Sequence, residues 1–348
     1  MSEVTIPPSI DALPKAELHL HLEGSIRPDL AAALAARHGA NLSVEEVRQR
    51  YRYQDFLGFI EAFKWVTSFL REPQDFAMLA ADVAEQLLQQ NVIYAEITLS
   101  VGVMLLRGQN PQANFEAILA ATAPYESRGL QTKWIFDAVR QFGPEPAGEV
   151  VEWAHRCVSP KLVAFGIGGD ELSIRTSDFR GAYLKAANYG LRRLIHAGEV
   201  GGPENIRESI ELLGVERIGH GIAAIHDPAL MDLLAERRIA LEVCPVSNVA
   251  TGALAKQLGK ARATIGEHPL PQLVRHGVPV VLSTDDPAMF HTSLRREYSA
   301  GYSLGLTGAE LAQIVINGFD YAFLSGDERA RLHARTASAT SRNAIITP

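Results

Sequence analysis

The sequence has few of the features that mark secreted, membrane or nucleic-acid-binding proteins. Among its 348 residues are only two cysteines, Cys157 and Cys244, so neither a framework of several disulfides nor a Cys-x-x-Cys motif is present. No run of about 18 uncharged apolar residues, the length that a membrane span needs, occurs, and the N-terminus lacks the pattern of a signal peptide. The net charge of −7 argues against a nucleic-acid or anionic-membrane surface. We therefore expect a cytoplasmic protein with neither kind of partner.

The chain repeats one type of unit, in which a short apolar run is followed by a helical pattern. The predicted strands cover 16–22, 92–100, 132–139, 162–169, 191–198, 217–222, 239–246 and 278–284. Clear helical patterns cover 75–91, 202–214, 227–238 and 269–277. Such alternation indicates parallel strands joined by right-handed crossovers. An open doubly wound sheet stays an alternative. Eight units, and the lack of a glycine-rich phosphate motif after the first strand, favour an α/β fold of the (β/α)8 TIM-barrel type.

The distance between the first two predicted strands is unusual, because residues 23–91 exceed what one crossover helix needs. We interpret 43–74 as a helical insertion within one barrel domain that covers 1–348. Loops on this side of a barrel carry function, so a role as a lid stays open. The aromatic residues of the insertion are explained more readily by packing than by ligand contact.

The first predicted strand carries a row of polar side chains. In the stretch "KAELHLHLEG", leucines alternate with polar residues, so His19 and His21 share one face of the strand. In a barrel, the carboxyl ends of all strands meet around one mouth, where active sites form. The polar residues predicted to meet there are His19, His21, Glu23, Asp170, Glu171, His196, Glu199, His220, Ser247, Asn248, Asp285 and Asp286.

Three histidines and one carboxylate of this set form a predicted metal site. His19 and His21 project from the first strand, His196 from the fifth and Asp285 from the eighth. Such donors suit one Zn²⁺ per chain, with Fe²⁺ or Mn²⁺ as alternatives, and leave a position for water. A single histidine near an apolar strand is more often structural. Together, however, these groups would be costly to bury without a metal or other partners.

The remaining polar residues suggest a hydrolytic reaction. A metal lowers the pKa of bound water toward 7, and Asp285 can act both as ligand and as base. His220 is expected just outside the ligand set, where it orients the water. Glu199 follows His196 by three residues and is the expected proton donor. Asp286 is expected to hold a polar edge of the substrate. The fourth strand ends without a lysine that would bridge a second metal, and Glu171 is a poor candidate for a bridge.

These motifs resemble the adenosine deaminase family of the amidohydrolase superfamily. The matching segments are "PKAELHLHLEGSIRP", "GDE", "HAGEVGGPENI", "ERIGHGI", "EVCPVSN", "TG" and "STDDPAMF". The resemblance implies a zinc-dependent barrel enzyme that releases ammonia from a 6-aminopurine. It also implies that Glu199 protonates the purine N1, that His220 and Asp285 handle the attacking water, that the N–H group of Gly169 reaches N3, and that Asp286 reaches N7. His21, besides its metal role, is expected to line the substrate site.

Some positions depart from adenosine-specific members of that family. Glu23 stands where they often carry an aspartate on the sugar side, and Gly166 stands where they tend to carry an acid. Retention of "TG" at 251–252 favours a nucleoside over a free base. Arg140 is a candidate partner for a carboxylate on a modified nucleoside, although a solvated loop arginine is the more common case. The expected substrate is adenosine or a modified adenosine such as 6-amino-6-deoxyfutalosine.

Three alternatives stay open at this stage. The first is deamination of free adenine, and the second is hydrolysis of another C–N or ester bond in the same type of barrel. The third is a non-catalytic, metal-stabilised binding protein, which would not need Glu199 or His220, and both are present. The sequence predicts no oligomeric state.

Overall fold

Eight parallel strands form a nearly closed barrel. The computed structural model describes residues 6–53 and 56–344, without the side chains of 56 and 338–344. Neighbours along the chain are neighbours in the sheet throughout, from the first strand to the eighth. The strands are β1 (Lys15–His21), β2 (Val92–Leu99), β3 (Gln131–Val139), β4 (Leu162–Gly168), β5 (Arg192–Ala197), β6 (Arg217–His220), β7 (Ala240–Val243) and β8 (Val280–Leu282). The predicted TIM barrel is confirmed.

The barrel closes between β1 and the residues that follow β8. A parallel bridge joins Leu20 to Asp285. The N–H group of His21 donates to the carbonyl of Asp285, and the N–H group of Asp285 donates to the carbonyl of His19, both at 2.8 Å. The closure therefore brings the polar row of β1 directly beside the aspartate predicted from the eighth strand.

Helices follow and cover the strands. They are α1 (Pro8–Asp11), α2 (Pro28–Arg37), α3 (Val44–Arg50), α4 (Phe56–Thr67), α5 (Pro73–Gln89), α6 (Val101–Leu106), α7 (Pro111–Ser127), α8 (Pro144–Arg156), α9 (Arg180–Asn188), α10 (Pro203–Glu208), α11 (Pro228–Glu236), α12 (Pro245–Ala250), α13 (Ala253–Gln257), α14 (Leu270–His276), α15 (Leu294–Ser303), α16 (Gly308–Asp320) and α17 (Gly326–Ala344). The helical pattern predicted at 202–214 is split, because a π-helical turn, Ser209–Leu213, continues α10.

Local chemistry explains where several helices begin and end. The side chain of Asp227 accepts a hydrogen bond from the N–H group of Leu230 at 3.0 Å, which caps the start of α11. Gly277 adopts a φ of 92° at the end of α14, a conformation that L-residues with a side chain rarely adopt. These short-range signals place the crossover helices between the strands.

The leucines of β1 face the helical layer. Gly318 of α16 comes so close to β1 that a Cβ atom there would lie 3.1 Å from the Cβ atom of Ala16. Ala16 has the same parity as Leu18 and Leu20, and both leucines are buried. The opposite face of β1, which carries His19 and His21, therefore points into the barrel.

Helices also lie between β1 and β2, where the sequence predicts an insertion. The helices α3 and α4 fall within 43–74, and residues 54 and 55 of that range lie outside the described residues. The aromatic ring of Phe59 packs 4.9 Å from that of Phe290, which follows β8, and the hydroxyl of Tyr53 donates to the carbonyl of Met289. These contacts fix α4 against the mouth of the barrel. The bounds of the insertion and the single-domain division stay predictions.

Across the described residues, no helix is both long and apolar enough to cross a membrane.

Candidate active site

A compact group of imidazoles and one carboxylate occupies the mouth of the barrel. One ligand atom each from His19, His196, His220 and Asp285 lies within 4.8 Å of the other three. The Nε2 atom of His21 lies 3.1 Å from that of His196 and 3.3 Å from Oδ1 of Asp285. Residues from β1, β5, β6 and the segment after β8 thus meet at one point.

The donors of this group fit a divalent cation. The Nε2 atom of His19 is buried and has no hydrogen-bond partner among the described residues. This nitrogen, the other imidazoles and the carboxylate together form a donor set that suits Zn²⁺ and similar divalent transition-metal ions. His220 also lies within this group, so both His21 and His220 are placed to be the fourth donor. The division of roles between these two residues stays a prediction.

Hydrogen bonds on the far side of two rings fix how those rings face the centre. The Nδ1 atom of His19 lies 2.8 Å from a carboxylate oxygen of Glu242, and that of His196 lies 3.2 Å from the carbonyl of Ile167. When Nδ1 carries the proton in both rings, each Nε2 lone pair is free for a metal. Glu242 was not predicted as a site residue; the signal for it is a glutamate in the apolar strand "IALEVCPV".

Asp285 and His220 are held in unusual backbone conformations. Their φ angles are 64° and 60°, a region that residues with a side chain enter at a cost of about 1–3 kcal/mol. The hydroxyl of Ser247 donates to Oδ2 of Asp285 at 2.5 Å, and the side chain of Asn248 lies 3.1 Å from Nδ1 of His220. The Nε2 atom of His268 lies 3.1 Å from the amide oxygen of Asn248.

The pKa values of the site residues are shifted in different directions. Burial lowers the pKa of His220 to about 3. Burial by itself would lower the pKa of His19, but the nearby carboxylates of Asp285 and Glu242 outweigh burial and raise that pKa to about 10. Despite burial, the nearby imidazoles of His19, His220 and His21 hold the pKa of Asp285 well below its usual range. Asp285 is therefore a carboxylate at neutral pH.

Glu199 has the environment of a proton donor. One of its carboxyl oxygens lies 3.6 Å from Nε2 of His220, and the hydroxyl of Thr251 donates to the other at 3.3 Å. Burial, with the nearby charges of Asp285 and Glu171, raises the pKa of Glu199 to about 8. The carboxyl group is therefore largely protonated at neutral pH, as a general acid requires.

Glu171 holds the loop that carries Glu199. Its two carboxylate oxygens accept hydrogen bonds from four consecutive backbone N–H groups, at distances of 2.5 to 3.1 Å, and from the side chain of Asn205 at 3.0 Å. The four N–H groups belong to Gly198, Glu199, Val200 and Gly201. The sequence placed Glu171 at this mouth without a role, because nothing in its local pattern shows what it will contact.

Two acids complete the rim of the site. One oxygen of Glu23 accepts from the N–H group of Ser100 at 3.0 Å, and the other has no partner among the residues the structure describes. Burial raises the pKa of Glu23 to about 7. Oδ1 of Asp286 likewise lacks a described partner, and burial beside Asp285 raises the pKa of Asp286 well above its usual range. Both groups are available for a polar ligand.

The sequence profile of the adenosine deaminase family matches residues 14–339. The chain belongs to the adenosine deaminase family. It is a hydrolytic deaminase, which excludes the non-catalytic alternative.

Similar proteins include deaminases with different names. An aminodeoxyfutalosine deaminase from Streptomyces coelicolor is 38% identical over 330 residues, which cover 93% of this chain and 83% of the relative. An adenine deaminase from Chelativorans sp. is 37% identical over 323 residues, which cover 92% of this chain and 97% of the relative.

Solved structures give the same result. The adenine deaminase from Arthrobacter aurescens has a TM-score of 0.86 and 30% identity, covering 94% of this chain and 98% of the other. An amidohydrolase from Burkholderia ambifaria with bound zinc has a TM-score of 0.88 and 26% identity, covering 99% and 96%. The adenosine deaminase family is metal-dependent, and the donor group at the mouth fits a metal.

In this member of the adenosine deaminase family, Arg140 is not a solvated loop residue. It is 1% exposed. Its guanidinium donates to the carbonyl of His196 at 3.0 Å and to the hydroxyl of Thr176 at 3.2 Å. Arg140 therefore holds the carboxyl end of β5. The interpretation of Arg140 as a solvated loop residue was wrong, because its partners lie far from it along the sequence and local patterns do not reveal them. These contacts lend no support to the substrate contact predicted for Arg140, which stays untested.

The glycines near the end of β4 make room for an acid of β3. A Cβ atom at Gly166 would lie 3.0 Å from Oδ1 of Asp137, and one at Gly168 would lie 3.2 Å from Oδ2. Asp137 is 5% exposed, and burial raises its pKa to about 8. The absence of a side chain at Gly166 thus leaves space for the carboxyl group of Asp137 from the neighbouring strand β3. Gly169, the predicted N3 contact, is exposed directly after β4 with a φ of 98°.

Proposed function

We propose that this enzyme is a zinc-dependent deaminase that removes the 6-amino group of an adenosine-type purine nucleoside. The observation that carries the proposal is the position of Glu199. Its carboxyl group, whose pKa burial raises to about 8, lies 3.6 Å from His220, beside the histidine and aspartate group. A proton donor and a set of metal ligands thus share one cleft, which is the arrangement that hydrolytic removal of an amino group requires.

We assign the metal to His19, His21, His196 and Asp285, with His220 beside them. The orphaned Nε2 atom of His19 and the short separation of 3.1 Å between His21 and His196 support this assignment. A zinc ion bound there supplies a water molecule whose pKa is lowered toward neutrality.

The chain's own residues then perform the proton transfers. Asp285, ionised at neutral pH, accepts the proton of the attacking water, and His220 orients that water. Glu199 donates its proton to the purine N1, which makes C6 more electrophilic. The water oxygen bonds to C6, and the C6–N bond then breaks. Ammonia leaves with the proton that Asp285 had accepted, and the remaining hydroxyl proton on C6 passes to Glu199 as the carbonyl group forms. Gly169 and Asp286 hold the N3 and N7 edges of the purine.

The sugar side of the site favours a nucleoside. Glu23 is buried, and one of its oxygens lacks a described partner, so a hydroxyl group of a ribose would satisfy it. Relatives named aminodeoxyfutalosine deaminase, at 38% identity, make a modified adenosine the first candidate. The "TG" motif does not distinguish a nucleoside from a free base. The Thr251 hydroxyl contacts Glu199, and the reaction needs Glu199 with either substrate.

Free adenine is the second candidate. The relatives named adenine deaminase and the Arthrobacter aurescens structure support it at 30–37% identity. The proposal extends to a cytoplasmic location, which the two free, buried cysteines support. It includes no nucleic-acid or membrane partner.

A substrate panel tests the proposal. Zinc-loaded protein is assayed for ammonia release from adenosine, 2′-deoxyadenosine, aminodeoxyfutalosine and adenine. We expect kcat/KM for at least one nucleoside to exceed that for adenine by about 100-fold, because a buried acid left unpaired costs about 1–3 kcal/mol. A preference for adenine would overturn the nucleoside assignment. Release from none of the four would overturn the proposed substrate class.

A further inference from the structure

A chain of buried charged side chains runs from His19 down through the barrel. The carboxylate of Glu242 lies 2.8 Å from Nδ1 of His19 and accepts from Nε of Arg217 at 2.5 Å. Nη2 of Arg217 donates to Glu96 at 2.5 Å, and the hydroxyl of Tyr94 donates to the same carboxylate at 2.7 Å. Four strands, β1, β7, β6 and β2, each contribute a member.

This series of hydrogen-bonded side chains ends at the segment that follows α16, at the end of the barrel opposite the site. Nη1 of Arg217 donates to the carbonyl of Tyr321 at 2.9 Å, and its guanidinium lies 3.8 Å from the ring centre of Phe323. The N–H group of Phe323 donates to Glu96 at 2.5 Å. Arg217 is thereby held at three of its nitrogens and over one ring.

Every charged member of this chain is almost completely shielded from solvent. Glu96 and Glu242 are 0% exposed, Arg217 is 1% exposed and His19 is 2% exposed. Two carboxylates around one guanidinium carry a net negative charge, and the side that faces the active site is the imidazole of His19. A buried excess of negative charge behind a metal-ligand ring raises the basicity of that ring and fixes its orientation.

We propose that Arg217, Glu242 and Glu96 are positioning residues for the metal, which set its affinity by holding His19 with its Nε2 atom toward the centre. The segment from Tyr321 to Phe323 anchors this chain, so the floor of the barrel controls the metal site at its mouth. The proposal rests on the proposed metal-dependent function, but it concerns metal affinity and not the substrate.

The affinity of the apoprotein for Zn²⁺, measured by competition with a chromogenic chelator, tests this directly. Loss of a group behind a metal-ligating histidine weakens metal binding about 10- to 100-fold, and we expect that range for Glu242→Gln. Arg217→Lys keeps the charge but lacks the planar guanidinium whose separate nitrogens contact Glu242 and Glu96, and we expect about 3- to 10-fold weaker zinc binding. If Glu242→Gln fails to fold, Arg217→Lys and Glu96→Gln carry the test.

A matched control separates metal positioning from fold stability. Asp75 is also a buried carboxylate, bonded to Arg37 and His38 at 2.8 Å each, but it lies on α5, away from this chain. Asp75→Asn is expected to lower the melting temperature of the apoprotein without changing its zinc affinity. The visible spectrum of the Co²⁺-loaded protein is a second readout, because it reports the geometry at the metal. It is expected to change in Glu242→Gln and to stay unchanged in Asp75→Asn.

The outcomes are distinct. If Glu242→Gln and Arg217→Lys bind zinc as tightly as the wild type and only their melting temperatures fall, the inference is overturned and the proposed function is left intact. Weakened zinc binding in both, with Asp75→Asn unchanged, would support it even if no nucleoside proved to be a substrate. A wild-type apoprotein that binds no zinc would overturn both.

Discussion

Replacing Glu171 by glutamine should disable the enzyme without removing its metal. The Glu171 side chain does not face the substrate, and its carboxylate instead binds the four N–H groups of the loop 198–201 and the side chain of Asn205. Glu199 sits in that loop. The Glu171→Gln variant keeps the size of the side chain and removes one acceptor position.

The contacts of the two oxygens give the size of the effect. One oxygen accepts from Gly198 and Asn205, and the other accepts from Glu199, Val200 and Gly201. Whichever way the amide turns, at least two donors lose their acceptor. At about 1.5–3 kcal/mol for each hydrogen bond to a charged group, the loop loses about 3–6 kcal/mol of anchoring. A displacement of Glu199 by about 1 Å would then lower kcat about 100-fold.

The assay compares kcat and metal content. We expect Glu171→Gln to keep near-stoichiometric zinc, because His196 precedes the loop on β5, and to lose about 100-fold in kcat. Asp170→Asn is the control, since Asp170 is the exposed neighbour of Glu171 and the described hydrogen bond of its side chain is local, from the N–H group of Leu172 at 3.1 Å. A kcat for Glu171→Gln within twofold of the wild type would refute the reasoning, as would an equal loss in Asp170→Asn.

Three further predictions follow from the same geometry. His196→Ala removes one donor of the metal group, so we expect zinc content to fall from near one to below about 0.1 per chain by metal analysis; unchanged content would refute the ligand assignment. Glu199 donates only when protonated and its pKa is about 8, so kcat/KM should fall as the pH rises above that value; a constant kcat/KM from pH 7 to 10 would contradict this role. A Cβ atom at Gly24 would lie 1.6 Å from Oδ1 of Asp286, so Gly24→Ala must displace that carboxyl group. We expect this variant to lower kcat/KM about 10- to 100-fold with metal content unchanged. Wild-type kinetics in Gly24→Ala would show that Asp286 does not bind substrate.

The barrel and the composition of its mouth could be predicted from the sequence because both follow local patterns. Short apolar runs alternating with amphipathic segments fix the strand count and the parallel pairing. Once the strands are parallel, their polar carboxyl-terminal residues must meet. His19, His196 and Asp285 are brought together for this reason alone, although more than 250 residues separate the first from the last.

The groups that hold those residues could not be predicted in this way. Glu242 lies inside an apolar strand, and only closure of the barrel brings it within 2.8 Å of His19. Arg140 follows β3, and its partners come from the segment after β4 and from the end of β5. Such contacts depend on side-chain directions across several strands, about which local patterns carry no information. The sequence thus names the groups at the mouth and leaves their supports to the structure.

The most direct test of the account is the rate of ammonia release by fully zinc-loaded Glu199→Gln beside that of the wild type, on the best nucleoside of the panel. The amide cannot donate a titrating proton, so we expect kcat to fall by about 100- to 10,000-fold, the contribution of general acid catalysis, at unchanged zinc content. A Glu199→Gln enzyme that releases ammonia at the wild-type rate would contradict the assignment of this site.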